Sequence, residues 1–123
     1  MRVIVCGGRH YRDRAAVFCA LDRLHRERGL TFLAEGACPT GADKWAREWR
    51  KSRGVDGESF EADWTRYGKA AGPIRNGEML HDVGPAGVIA FPGGRGTADM
   101  VERADAAGLK VWFPCGRSEL PAA

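Results

Sequence analysis

No apolar stretch in the sequence comes near the roughly 20 residues needed to cross a bilayer, so no membrane span is expected. The opening "MRVIVCGGRH" has no extended hydrophobic region and no cleavage site. It reads as a strand rather than a secretory signal, which points to the cytoplasm. The four cysteines, Cys6, Cys19, Cys38 and Cys115, include no CxxC pair. That spacing argues against a zinc module and for reduced thiols. Cys6, Cys38 and Cys115 each follow an expected strand and could gather at one sheet edge near His10. With no local ligand pair, however, no metal is expected. There is no G-x-G-x-x-G fingerprint and no G-K-[ST] Walker loop. A dinucleotide oxidoreductase and a P-loop NTPase therefore lack their signatures, and no cofactor is expected. Repeats, linkers and low-complexity segments are also missing. Net charge is only +3, with residues 1–53 carrying +6 and residues 54–123 carrying −3. Most of the early excess lies on apparent helices, where solvated faces explain it more simply than a polyanion surface.

What the chain does contain is an alternation of short apolar runs and amphipathic stretches. Its 123 residues allow one hydrophobic core and not two. Residues 1–114 are expected to form the domain and residues 115–123 a loose tail. Residues 3–6 are a mostly β-branched run halted by Gly7-Gly8. Asp13 can cap a helix on which Val17, Leu21 and Leu24 recur at helical spacing, up to Gly29. "LTFLAE" reads as the second strand and "GACPTG" as a loop. Thr40 and Asp43 look like a capping pair ahead of a helix that buries Ala42, Trp45, Ala46 and Trp49 and stops at Gly54. "DGESF" is a weak third strand, "EADWTRYGKAAG" a long loop, and Pro73 the opening of a helix over residues 74–82. "AGVIAF" is the fourth strand, residues 97–107 the last helix before Gly108, and "KVWF" the fifth strand. Apolar strands separated by helices specify an α/β, Rossmann-like three-layer sandwich with a mostly parallel sheet. The expected strand order is 3-2-1-4-5. Its ligand crevice lies at the strand carboxyl ends, between the first strand and the fourth.

Two glycine-rich turns fall at that crevice. Gly7-Gly8-Arg9 follows the first strand, and Pro92-Gly93-Gly94-Arg95-Gly96-Thr97 follows the fourth and opens a helix. The first amides of a helix lack internal partners and carry positive partial charge, so they suit an anion. Glycine lets main-chain N–H groups approach a phosphate. Arg9 and Arg95 can add charge-assisted bonds, and the Thr97 hydroxyl can cap the helix or meet the same group. Turns of this kind are often only turns; two of them at one predicted crevice point to a phosphate-bearing ligand.

The segments "FPGGRGTADM" and "AGPIRNGEML" resemble the SLOG superfamily, the Rossmann-like group that includes the LOG (lysine-decarboxylase-like) phosphoribohydrolases. With "VIVCGGRHYRD", "EGACPTGADKWA" and "ADWTRYGKAAGPIRN", the likeness covers about residues 2–114 and is greatest to the YspA-type, YpsA-related branch. The resemblance implies binding of a nucleotide or a related phosphoribosyl ligand, and a sensing role in stress or phage conflict. LOG enzymes cleave the N-glycosidic bond of nucleoside 5′-monophosphates and carry PGGxGTxxE and R-K-x-x-M segments. Pro92, Gly93, Gly94, Gly96 and Thr97 match the first pattern, and Arg75 and Met79 the second, with Asn76 where lysine would stand. Met100 occupies the place of the catalytic glutamate. Cleavage of that bond needs an activated water and a group to face oxocarbenium charge, and a thioether supplies neither. Asp99 and Glu102 point to other sides of the helix, since each residue turns about 100°. The binding site is therefore carried over and the reaction is not.

Other residues remain as candidates. Glu35, followed by Gly36, ends the second strand and is a candidate for ribose hydroxyls or for the missing acid, with Asp99 as a weaker one. Arg75 is expected at the ligand's phosphate and Asn76 at its ribose or base. Asp63, Trp64 and Tyr67 supply an aromatic loop that suits either base stacking or lid packing. His25 and His81 read as surface residues. The leading reading is a small-molecule, nucleotide-like ligand bound by a sensor or sequestering module. The rivals are a phosphoribohydrolase using Glu35 or Asp99, and nucleic-acid binding of the kind found in the related domain of DprA, which the small net charge opposes. Self-association is left open.

Overall fold

The apolar runs pair side by side. In the computed structural model, which describes residues 1–116, five strands form one sheet: β1 (Arg2–Cys6), β2 (Phe32–Glu35), β3 (Asp56–Ser59), β4 (Gly87–Ala90) and β5 (Lys110–Trp112). Their order is β3-β2-β1-β4-β5 and every pairing is parallel. Residues 117–123 of the expected tail lie outside the described residues. Before them, the Cys115 sulfur sits 3.1 Å from the Tyr11 hydroxyl.

β1 runs through the middle and feeds two cores, because successive side chains of a strand point to opposite faces. Val3 and Val5 join Val17 and Leu21 of α1 (Arg14–Arg28) and Ala42, Ala46 and Trp49 of α2 (Gly41–Ser52). Ile4 and Cys6 join Met79 and Val83 of α4 (Ala71–Val83) and Met100, Val101 and Ala104 of α5 (Arg95–Ala106). Two helices thus cover each face.

The local signals act as follows. Asp13 caps α1 by accepting from the Ala16 amide at 2.9 Å, and Gly29 ends the helix at φ 71. His25 is not a simple surface residue: its Nδ1 accepts from the Leu30 amide at 2.9 Å and its ring stands edge-on to Trp49. The expected Thr40–Asp43 capping pair does not form. The Thr40 hydroxyl donates instead to the Arg9 carbonyl at 2.8 Å, and Asp43 accepts from the Cys38 amide at 3.2 Å. The expected long loop is helical. Asp63 caps a short α3 (Trp64–Tyr67), a 3-10 turn (Gly68–Ala70) follows, and α4 begins at Ala71, two residues before Pro73. Proline is tolerated there because amides of the first turn have no intrahelical acceptor.

α1 and α2 are locked through one carboxylate. Asp22 Oδ1 accepts from the indole N–H of fully buried Trp49 and from Arg53 Nε, each at 2.9 Å, and Oδ2 accepts from Arg53 Nη2 at 2.9 Å. The Arg53 and Trp49 donors hold the Asp22 carboxyl below its ordinary range. A depressed pKa stabilises the fold above the unfolded value, near 4, and that contribution is lost as pH falls through the folded value. Asp22→Ala strands the Trp49 N–H. It should cost about 1–3 kcal/mol in urea unfolding at pH 7, with the gap to wild type narrowing below about pH 4.

Candidate functional site

A cleft of ≈ 1290 Å³ opens at the carboxyl ends of β1, β2 and β4. Its floor is made where three turns touch backbone to backbone. The Gly8 amide donates to the Pro92 carbonyl at 2.8 Å, and the Phe91 amide donates to the Cys6 carbonyl at 2.9 Å. The Gly8 carbonyl accepts in turn from Tyr11 and Ala42 amides, each at 3.2 Å. Side chains would not fit between these turns. A Cβ on Gly93 would stand 2.6 Å from the Gly8 nitrogen, and one on Gly7 would stand 2.5 Å from the Ala42 Cβ. Gly41, at φ 72, would drive one to 2.7 Å from the Arg9 Cα. The two turns separated by about 85 residues in sequence do lie side by side.

This contact corrects the expectation that both turns present bare amides. The Gly8 N–H is consumed in joining them. The second turn differs. The first intrahelical bond of α5 runs from Ala98 N to the Gly94 carbonyl at 3.0 Å, so the amides of Arg95, Gly96 and Thr97 precede the helical ladder. Gly94 and Gly96 also have open space where a Cβ would stand. Thr97 is buried beneath Gly93. Pro92 joins the cleft wall, with Arg9 and Arg95 exposed at its edge and in no ion pair among the described residues.

The remaining sequence candidates divide. Gly36, Arg75 and Asn76 line the cleft; Glu35 and Asp99 do not. Glu35 is fully buried, and its oxygens accept from the Ala37 amide at 2.7 Å, Arg47 Nη2 at 3.2 Å and the Ser59 hydroxyl at 2.5 Å. It is a structural hub behind the wall. Asp99 Oδ2 accepts from Asn76 Nδ2 at 3.0 Å and Arg103 Nε at 2.9 Å. Asn76 is 3% exposed and spends its other bonds on the protein, accepting from Arg75 Nε at 3.0 Å and donating to the Gly96 carbonyl at 3.2 Å. It braces the start of α5 from behind. Arg75 Nη1 donates to the Gly36 carbonyl at 2.6 Å and the Phe60 carbonyl at 3.2 Å, tying the ends of β2 and β3 to α4. Met100 lines the cleft at 1% exposure. Of the aromatic segment, Asp63 is a helix cap, while Trp64 is 54% exposed on the cleft rim. Tyr67 lies outside that cleft, under Arg66 at 5.0 Å. No group of three or more metal-ligating side chains occurs among the described residues.

Among the wall residues that sequence reasoning missed is a buried acid. Asp43, read there as a cap, is 8% exposed and lines the cleft. Burial, and then the neighbouring Glu35 charge, push its carboxyl up to about 6. Cys6, beside it, is pushed up by burial and by Asp43 in turn. The loop that leads from β2 into α2 includes Ala37 at φ 62, a left-handed conformation uncommon for a residue with a side chain. The available signal was an acidic residue in the first turn of α2, directly after Ala42 and flanking the apolar stripe. Because the folded value exceeds the unfolded one near 4, the fold is favoured by the protonated acid and loses that advantage as pH rises from about 4 through about 6. Asp43→Asn should therefore be more stable than wild type at pH 8, by roughly 3 kcal/mol. Denaturant unfolding at pH 8 and pH 4 checks this, and the difference should vanish at the lower pH.

A parallel α/β sheet with a cleft where its winding reverses defines a Rossmann-like protein of the doubly wound kind. Residues 1–67 match the model of the YspA, cpYpsA-related SLOG family, and the chain belongs to that family. The chain is also similar to "Gene 61 protein" of Mycobacterium phage D29, with 40% identity over 117 residues, 89% of this chain and 93% of that protein. The family match takes in the first glycine turn and the start of α2 with Asp43, and ends before the turn at residues 92–97.

Proposed function

We propose that the protein binds a nucleotide or a nucleotide-derived ribose phosphate in this cleft, as a sensor or sequestering module. One observation carries the reading: the first residues of α5, whose amides make no hydrogen bond among the described residues, line a cleft in which glycines 94 and 96 leave room at the main chain. The phosphate sits on those amides, where the helix dipole and the free guanidinium groups of Arg9 and Arg95 favour an anion. A cleft of ≈ 1290 Å³ exceeds the usual small-ligand range, so it accommodates more than a sugar phosphate. Trp64 at the rim supplies an aromatic face for a base. SLOG family membership agrees with a ligand of this class. Hydrolysis is not part of the proposal: Met100 stands where a catalytic acid would, and Glu35 and Asp99 are bonded within the protein.

The test is thermal unfolding with AMP, ADP-ribose, NAD and ribose 5-phosphate. A ligand at 100 times its Kd stabilises by about 2.7 kcal/mol. Gly96→Ala separates binding from folding. Alanine strengthens a helix by roughly 0.5–1 kcal/mol over glycine, and its Cβ tilts toward the helix N-terminus, into the anion's place. The unliganded variant should match or exceed wild-type stability and lose most of the ligand-induced shift. No shift with any of the four compounds would sink the proposal, and release of free base from AMP would replace it with the hydrolase reading.

A further inference from the structure

We propose that Asp43 reads the sugar of the bound ligand, its carboxylate accepting hydrogen bonds from neighbouring ribose hydroxyls. This rests on the binding reading above and adds to it a preference for an unmodified ribose.

The assignment begins with an oxygen that lacks a protein partner. Asp43 Oδ2 accepts from the Cys38 amide at 3.2 Å. Oδ1 accepts no hydrogen bond among the described residues, and no cationic side chain comes within ion-pair distance of either oxygen. The nearby cations are committed elsewhere. Arg75 Nη1 serves the Gly36 and Phe60 carbonyls, and Arg47 Nη2 serves Glu35 and the Cys38 carbonyl. A charged group that is 8% exposed with half of its acceptor capacity unused is costly to maintain unless something else satisfies it. Oδ1 is also not sealed inside the protein, since the only enclosed side-chain polar atom without a partner among the described residues is Arg50 Nε. Asp43 lines the cleft, so the opening is on the ligand's side.

An ionised carboxylate only accepts hydrogen bonds, so its partner must be a donor. Asp43, in the first turn of α2, reaches the end of β2, where a Cβ on Gly36 would stand 3.1 Å from its Oδ2, and the α5 amides lie at the end of β4, with β1 between the two strands. Two strand spacings, about 10 Å, separate those strands. A sugar 5′-phosphate anchored on α5 and extended over β1 presents its ring hydroxyls to Asp43. Glu35, the sequence candidate for this task, is fully buried and already accepts three hydrogen bonds.

The groups facing Asp43 are Cys6 from β1, Glu35 from β2, Arg47 on α2 and Arg75 from α4. Arg9, His10 and Arg95 share the cleft. Hydroxyl recognition uses the ionised carboxylate, which is lost as pH falls through about 6.

Titration calorimetry at pH 8 and pH 5 with the four ribonucleoside 5′-monophosphates and their 2′,3′-dideoxy counterparts tests this. The ratio of the two affinities cancels titration of the ligand's own phosphate, which also falls near pH 6. At pH 8 a ribonucleotide should bind at least about tenfold tighter than its dideoxy form. That ratio should approach one at pH 5, and should fall several-fold in Asp43→Asn at pH 8. Equal affinity for both sugars at pH 8, or a ratio that ignores pH, overturns the assignment of Asp43 while leaving the binding reading in place. Failure of every nucleotide to bind overturns both. If Asp43→Asn does not fold, the pH dependence of the wild-type ratio decides alone.

Discussion

The hydrogen bond from the Gly8 amide to the Pro92 carbonyl, at 2.8 Å, is the constraint on which the site depends. It welds the ends of β1 and β4, the two strands where the winding of the sheet reverses. It requires that neither Gly8 nor Gly93 carry a side chain, because a Cβ on either would reach 3.0 Å or less from the other turn. With the weld in place, the start of α5 is fixed above β1, and the Gly8 carbonyl is free to hold the start of α2 through the Ala42 amide. Two helix starts are thereby set around one opening by main-chain contact, to which the Asn76 amide adds a brace at α5 and the Thr40 hydroxyl one at α2.

Charge is distributed around this frame in an unusual division of labour. The guanidinium of Arg75 faces main-chain carbonyls at the ends of two strands, and Asn76 joins α4 to the first turn of α5. These inner groups set the walls. The guanidinium groups of Arg9 and Arg95, exposed at the edge, are in no hydrogen bond or ion pair among the described residues. Opposite them lies a carboxylate with an unused oxygen. A cleft with a cationic edge, bare amides on one side and a buried acid on the other is bipolar. Such a cleft favours a ligand that is anionic at one end and a hydrogen-bond donor further along.

Much of the fold was legible. Residues 3–6 and 88–91 are apolar without alternation, and only strands buried on both faces can use such a pattern. The order of the sheet follows from that and from the handedness of crossovers. The stretch 64–71 was illegible because α3 is a single turn: too short for a hydrophobic period, it depends on the Asp63 cap and on Pro73 sitting in the first turn of the next helix. The glycine turns were found, but their purposes were merged. Sequence cannot distinguish a glycine that makes way for another strand's turn, as at Gly93, from one that borders open space in the cleft, as at Gly94. Arg75 and Asn76 were placed at the cleft, yet whether a cation there meets a ligand or a carbonyl depends on the ends of β2 and β3, which are distant in sequence. Asp43 was hidden by a local explanation, the helix cap, that turned out to belong to no hydrogen bond of that kind.

The backbone weld also sorts the cleft by how freely it can change. Positions 7, 8, 41 and 93 are closed to any substituent by their neighbours in space. Positions 9, 64 and 95 are exposed and unconfined. Descendants of this chain can therefore exchange one guest molecule for another by altering rim side chains, with the foundation left untouched. Diversification of recognition and preservation of the scaffold draw on separate sets of residues, which lets selection act on one without risk to the other.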